Sequence, residues 1–169
     1  MTNDPHPNAA LIERFYAAFA RRDAATMTAC YAPDARFTDP VFDLEGAEVG
    51  AMWSMLCARA KDLTLEWRDV RANDATGSAH WEPRYTFSAT GRPVHNVIDS
   101  AFTFNGGLIA TQVDTFDLWR WSRMALGAKG ALLGWTPFVR NAIRAQARRG
   151  LDAWIASAKR DGPSVAAAR

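Results

Sequence analysis

Apolar residues recur at helical spacing from the start of the chain. Leu11, Ile12, Phe15 and Phe19 share a face, so residues 8–22 read as an amphipathic helix. Asp23 suits the N-cap of a second, short helix carrying Met27 and Cys30, which Pro33 is expected to end. Residues 36–38 read as a short strand. Val49, Met52, Trp53 and Leu56 then mark a third helix over 47–61. Next the period changes to two. Leu63, Leu65 and Trp67 alternate with Thr64, Glu66 and Arg68 over 63–71. Over 79–88, Trp81, Tyr85 and Phe87 oppose His80, Glu82 and Arg84. Residues 90–93 read as a turn and 94–104 as one strand, which Asn105-Gly106-Gly107 joins to 108–116 as a hairpin. Helices first and antiparallel strands second point to an α+β fold. The remainder differs. Residues 119–134 mix Trp119 and Trp121 with a glycine-rich loop. Residues 137–159 read as a basic helical region with Phe138, Ile143, Leu151, Trp154 and Ile155 as apolar positions and Gly150 as a candidate break. Residues 162–169 read as a tail.

Composition narrows the function classes. At 169 residues the chain can form one domain with a sizeable core, and its 49% hydrophobic and 22% charged content is ordinary for a soluble globular protein. A net charge of +2 is too small to imply a nucleic-acid partner. Residues 1–8 lack a basic segment followed by an apolar run, so no signal peptide and a cytoplasmic location are expected. The stretch 125–135 is too short to cross a bilayer and is interrupted by Lys129. Cys30 and Cys57 are expected to be buried free thiols. The histidines are scattered and no phosphate loop or nucleophile motif occurs, so neither metal nor cofactor is expected.

Two carboxylates lead the candidates for chemistry. Asp39 ends an apolar strand directly before Pro40, and a carboxylate beside apolar walls can exchange a proton near neutral pH. The plainer reading is a surface aspartate that opens a turn. Asp114 shares a strand face with Leu108, Ala110, Gln112 and Phe116. If that face turns inward, Gln112 and Asp114 supply a polar pair for orientation or a second acid. His95 and Asp99 lie on one face of their strand, and Asn96 and Ser100 lie with Phe102 on the other. Alternation sends the second set to the core, and a bulge would reverse it, so His95, Asn96 and Asp99 all remain pocket candidates. Trp81 and Tyr85 are expected to wall the pocket or to pack as ordinary core.

Several of these segments carry a resemblance. Arg14-Phe15-Tyr16-Ala17-Ala18, Asp23, Tyr31-Ala32-Pro33-Asp34-Ala35, Thr38-Asp39-Pro40-Val41 and Phe102-Thr103-Phe104-Asn105-Gly106 resemble ketosteroid isomerase in order and spacing. The wider likeness, over 9–117, is to the nuclear transport factor 2-like superfamily, which includes SnoaL-type polyketide cyclases and limonene epoxide hydrolases. The resemblance implies a cystatin-like, cone-shaped roll: N-terminal helices packed in a strongly curved mixed or antiparallel sheet around an apolar pocket. It implies that Asp39 is the base that moves a proton next to a ketone. It puts the oxyanion-binding tyrosine at Phe15, leaving Tyr16 or Tyr31 as replacements. It puts the second oxyanion donor at Ser100, one residue from Asp99.

The expected organisation is a pocket domain over 1–118 with a helical extension, 119–169, packed on it. The extension reads three ways: a cover over the open end of the cone, a subunit interface, or a basic tryptophan-bearing surface for anionic membrane. The cover is preferred. The glycines and Asp152 count against membrane contact, which is not expected. The expected partners are a small apolar molecule and a second copy of the chain, since the resemblance implies homodimers through the outer sheet face. The preferred function is a cofactor-free isomerase- or cyclase-like enzyme. Asp39 and Asp114 act, and Phe15, Tyr16, Trp81, Tyr85, His95, Asn96, Asp99, Gln112 and Phe116 shape or bind. The alternative is a ligand-binding or interaction domain without catalysis.

Overall fold

A computed structural model describes residues 5–161; the expected C-terminal tail and residues 1–4 lie outside the described residues. Helix α1 (Pro7–Ala20) begins with proline in its first turn, and His6 caps it by accepting the Asn8 N–H. It buries Ile12, Phe15 and Phe19 of the expected stripe and adds Tyr16, while Leu11 is half-buried. Asp23 caps α2 (Ala24–Ala29) through the Thr26 N–H at 3.0 Å. After β1 (Tyr31–Thr38) and β2 (Asp43–Glu45), α3 (Ala47–Arg59) buries Val49, Met52, Trp53, Met55 and Cys57. Five strands follow: β3 (Thr64–Ala72), β4 (Thr76–Phe87), β5 (Arg92–His95), β6 (Ile98–Asn105) and β7 (Leu108–Thr115). The chain closes with α4 (Leu118–Leu126), α5 (Ala128–Leu133) and α6 (Pro137–Asp161).

The strands form one seven-stranded sheet in the order β2-β1-β7-β6-β4-β3, with β5 also paired to β4. The sheet is mixed, because β1 runs parallel to β7 while the other pairs are antiparallel. Register shifts in β1, in β3 beside Asp69 (φ 58°) and between β6 and β7 add local twist and bend the sheet around the helices. The third shift matters most for the site. Phe104 pairs with Ile109 but Thr103 pairs with Thr111, so one extra residue sits in β7 at Ala110. Ile109 is therefore the fully buried residue at the start of the strand, in place of the expected Leu108 and Ala110. Gln112 and Asp114 still face inward.

Four expectations need correction. Pro33 does not stop an element; it lies inside β1, in the irregular stretch between Tyr31 and Arg36, where no ladder bond asks for its missing N–H. Residues 94–104 are two strands. Both lie along the long β4, and the chain steps between them where Asn96 donates to the Pro83 carbonyl at 3.0 Å. The glycine-rich 119–134 is largely helical; Gly127, at φ 66°, turns the chain between α4 and α5, and Gly130 and Gly134 serve packing, a Cβ at Gly130 overlapping the Ser122 carbonyl. Gly150 does not break α6. It lets the helix pass beneath the Arg59 guanidinium. Cys30 and Cys57 are free and buried.

Candidate functional site

An apolar cavity of about 330 Å³ lies between the inner face of the sheet, α3 and α6. Phe37, Met52, Trp53, Trp81, Ile98 and Phe116 form much of its wall, and α6 covers one side with Ile143, Gln146, Ala147 and Gly150. Asp39, Tyr85, Asn96 and Asp114 bring polar groups into it, and Arg59 stands at its edge.

Asp39 sits where β1 ends. Pro40 turns the chain, and Oδ1 of Asp39 accepts the backbone N–H groups of Val41 (2.7 Å) and Phe42 (2.6 Å). The turn fixes the carboxyl against the cavity. Burial pushes its pKa up from 3.8 to about 6, against the lowering effect of those two hydrogen bonds.

Asp114 is buried more deeply and is held by a polar network that draws on six elements. Ser100 donates to its Oδ1 at 2.5 Å and Gln112 Nε2 to the same oxygen at 3.0 Å. Ser100 in turn accepts from the Tyr16 hydroxyl and from Trp81 Nε1, each at 2.9 Å. Gln112 Oε1 accepts from the Tyr31 hydroxyl, which accepts from Trp53 Nε1 at 3.0 Å. Two donor chains thus converge on one carboxylate oxygen. Among the described residues no hydrogen bond is made to Oδ2, which is left to exchange a proton with a ligand. Burial raises the Asp114 pKa from 3.8 to about 7; the Ser100 and Gln112 bonds oppose the rise and the charge of Asp39 adds to it. The cavity therefore holds two carboxyl groups that sense each other and titrate in neighbouring pH ranges.

A third group has a free role. The Tyr85 hydroxyl accepts from Trp121 Nε1 at 3.0 Å, which leaves its own proton to be donated into the cavity. Its pKa is raised by burial and, more weakly, by the charge of Asp39.

The expected site residues divide accordingly. Asp39, Asp114, Trp81, Tyr85, Asn96 and Phe116 meet in the cavity. Phe15, Tyr16 and Gln112 do not line it. Phe15 packs edge-on against Tyr16, Tyr31 and Trp53, while Tyr16 and Gln112 stand behind the wall as partners in the network. His95 and Asp99 point to the opposite face of the sheet: Ser100 takes the inner place in β6, and His95, the last residue of β5, lies opposite Arg84 while the neighbouring Val94 is buried. There His95 binds Glu82 (2.7 Å) and Asp99 binds His80 (2.7 Å). Glu82 also accepts from Arg68, and these partners hold its pKa down to about 2. Sequence reasoning missed Trp53 and Trp121 as parts of the site, and for α6 it expected a cover over the cone without naming Ile143, Gln146, Ala147 or Gly150 as lining residues. The signal for Trp53 and Trp121 was available in their indole N–H groups, since buried tryptophans seek acceptors.

The fold and cavity define a protein of the nuclear transport factor 2-like class. Residues 12–112 match the family model of the SnoaL-like domain, and the chain belongs to that family. Solved structures share the fold. A nuclear transport factor 2-like protein of unknown function from Burkholderia pseudomallei is 21% identical, with a TM-score of 0.61 over 71% of this chain and 98% of its own. An epoxide hydrolase of Mycobacterium tuberculosis is 17% identical, with a TM-score of 0.60 over 76% and 96%. A candidate polyketide cyclase from Xanthomonas campestris is 20% identical, with a TM-score of 0.60 over 70% and 96%. No curated protein matches the chain.

Proposed function

We propose that the protein is an enzyme that moves a proton within a small apolar, cyclic or carbonyl-bearing molecule, using its own carboxyl groups. The observation that carries this reading is the pair Asp39 and Asp114, placed in one apolar cavity with pKa values of about 6 and about 7. Near neutral pH the less buried Asp39 is ionised and acts as base. Asp114, more deeply buried and beside the Asp39 charge, holds its proton more readily and acts as acid or donor, and two carboxyls in unequal surroundings divide the roles. Tyr85 donates to the oxygen on which charge develops. A cavity of about 330 Å³ is at the small end for ligand sites, which favours one or two rings over a steroid. An epoxide hydrolase and a candidate polyketide cyclase among the structural neighbours support the reading that this fold hosts enzymes.

A second reading is a non-catalytic ligand-binding domain. One observation favours it: Tyr16 and Tyr31 spend their hydroxyls inside the network and offer none to the cavity. A single assay separates the two. A cyclic β,γ-unsaturated ketone is incubated with the protein in D₂O, and exchange of its α-protons is followed by proton NMR. Exchange that Asp39→Asn abolishes is the expected result. Binding of the ketone without exchange would leave the non-catalytic reading standing.

A further inference from the structure

The corner where α5 meets α6 exposes large apolar side chains that no other described residue covers. Leu132 is 72% exposed, Leu133 51%, Trp135 63% and Phe138 83%. They are held together. Trp135 Nε1 binds the Leu132 carbonyl, and the Thr136 backbone and hydroxyl bind that of Leu133. Trp119, 40% exposed, joins them by donating to the Ala131 carbonyl at 3.2 Å, and the Arg123 guanidinium lies 4.7 Å from its ring. Contiguous apolar exposure of this kind marks a contact surface.

Charge decides what the surface meets. Residues 118–151 contain seven Lys and Arg (120, 123, 129, 140, 144, 148, 149) and no Asp or Glu. Of these, all but Arg148 form no ion pair among the described residues, and the Arg140 Nε is buried without a hydrogen-bond partner there. A second copy docked about a two-fold axis would bring this patch onto itself, cation against cation. An anionic bilayer surface instead accepts both components: apolar side chains at the acyl boundary and cations at the headgroups. No described helix is long and apolar enough to cross a membrane, so the contact is with the surface.

We infer that the α5–α6 corner, with Leu132, Leu133, Trp135 and Phe138 as its apolar tip and Lys129, Arg140 and Arg123 around it, docks on anionic phospholipid bilayers. The sequence had argued against membrane contact through its glycines and Asp152. Asp152 lies beyond this corner along α6, where it pairs with Arg148, and the glycines pack α5 against α4. The same α4 and α6 supply Trp121, Ile143 and Gln146 to the cavity, so docking would set the cavity beside the phase in which apolar molecules dissolve. The inference stands whether or not the cavity performs chemistry.

Vesicle sedimentation tests it with the full chain. Vesicles of phosphatidylcholine containing about one-third phosphatidylglycerol should bind the protein at low salt at least about tenfold more tightly than pure phosphatidylcholine, since each engaged cation contributes about fivefold. Binding should weaken as salt rises from about 0.05 M to about 0.5 M. Trp135→Ser with Phe138→Ser, both exposed positions, should cut binding at least tenfold with far-UV circular dichroism unchanged. Leu132→Ser gives an independent variant on α5 should that pair misfold. The inference is overturned if anionic vesicles fail to bind at low salt, or if the serine variants bind as well as the parent. It is also overturned if sedimentation equilibrium shows that the corner joins two copies and that the serine variants separate them.

Discussion

Replacing Asp114 with Asn should make the protein more stable at alkaline pH while removing its acid. Asp114 binds its proton more tightly folded than unfolded, because burial penalises the charged form. Its contribution is therefore fully present below the unfolded value of 3.8 and is lost as pH rises towards about 7. The distance between those values, at about 1.4 kcal/mol per pH unit, amounts to about 4 kcal/mol at pH 8. Asn keeps an acceptor for Ser100 and Gln112 and carries no charge, but it adds a buried N–H group that costs about 1 kcal/mol. The net expectation is a gain of about 3 kcal/mol at pH 8, read as a rise in Tm of about 6–12 °C. At pH 4 the parent is itself largely protonated at this position, and the gain should vanish. Urea denaturation of both proteins at pH 4, 6 and 8 measures the difference. The argument fails if the variant is no more stable than the parent at pH 8, or if its advantage does not shrink on acidification. Either result would mean that the converging donors hold Asp114 ionised without cost, and its role as an acid would go with it.

Other expectations follow from the same geometry. Ser100→Ala removes the acceptor of two buried donors, Tyr16 and Trp81, and should destabilise by about 2–4 kcal/mol in urea denaturation. It should also raise the Asp114 pKa further, visible in carbon-13 carboxyl titration. The rate of ketone proton exchange should peak between pH 6 and 7, rising as Asp39 ionises and falling as Asp114 loses its proton. Asp39→Asn should abolish the rising limb and lower the rate about 10²–10⁴-fold, with folding intact because its Oδ1 still accepts from Val41 and Phe42. Gly130→Ala should cost about 3 kcal/mol or more in thermal melting, since the new Cβ meets rigid backbone at Ser122.

The helices and the hairpin were legible because each rests on local order. The stripe of α1, the Asp23 cap and the Asn105-Gly106-Gly107 turn need no distant partner to be read. Asp39 and Asp114 were legible as residue types on the right elements. What joins them was not. Tyr16 looked like a pocket residue because its place in the resemblance suggested a free hydroxyl. Its hydroxyl is instead taken by Ser100, 84 positions away in the chain, and no local pattern reports such a pairing. The glycines of 119–134 read as a loop because their conformational freedom was weighed alone; their small size, which lets α5 sit on α4, depends on a neighbour the sequence does not order in space. Phe138 read as one apolar position of the 137–159 helix along with Ile143 and Leu151, and its 83% exposure was not legible because burial belongs to the assembled fold.

The extra residue at Ala110 works as an index. Counted straight from the Gly106-Gly107 turn, Ser100 would face Val113 across the ladder; with the insertion it faces Asp114. The identity of the group presented to the cavity thus hangs on a count between turn and floor, while the scaffold around it stays the same. Deleting Ala110 itself would straighten β7 and keep Asp114 opposite Ser100, whereas one residue lost between Thr111 and Val113 with the bulge kept would bring Thr115 there. The group offered to the cavity thus tolerates loss of the bulge and not loss of a residue beyond it, because a slip of one would turn Gln112 and Asp114 outward together.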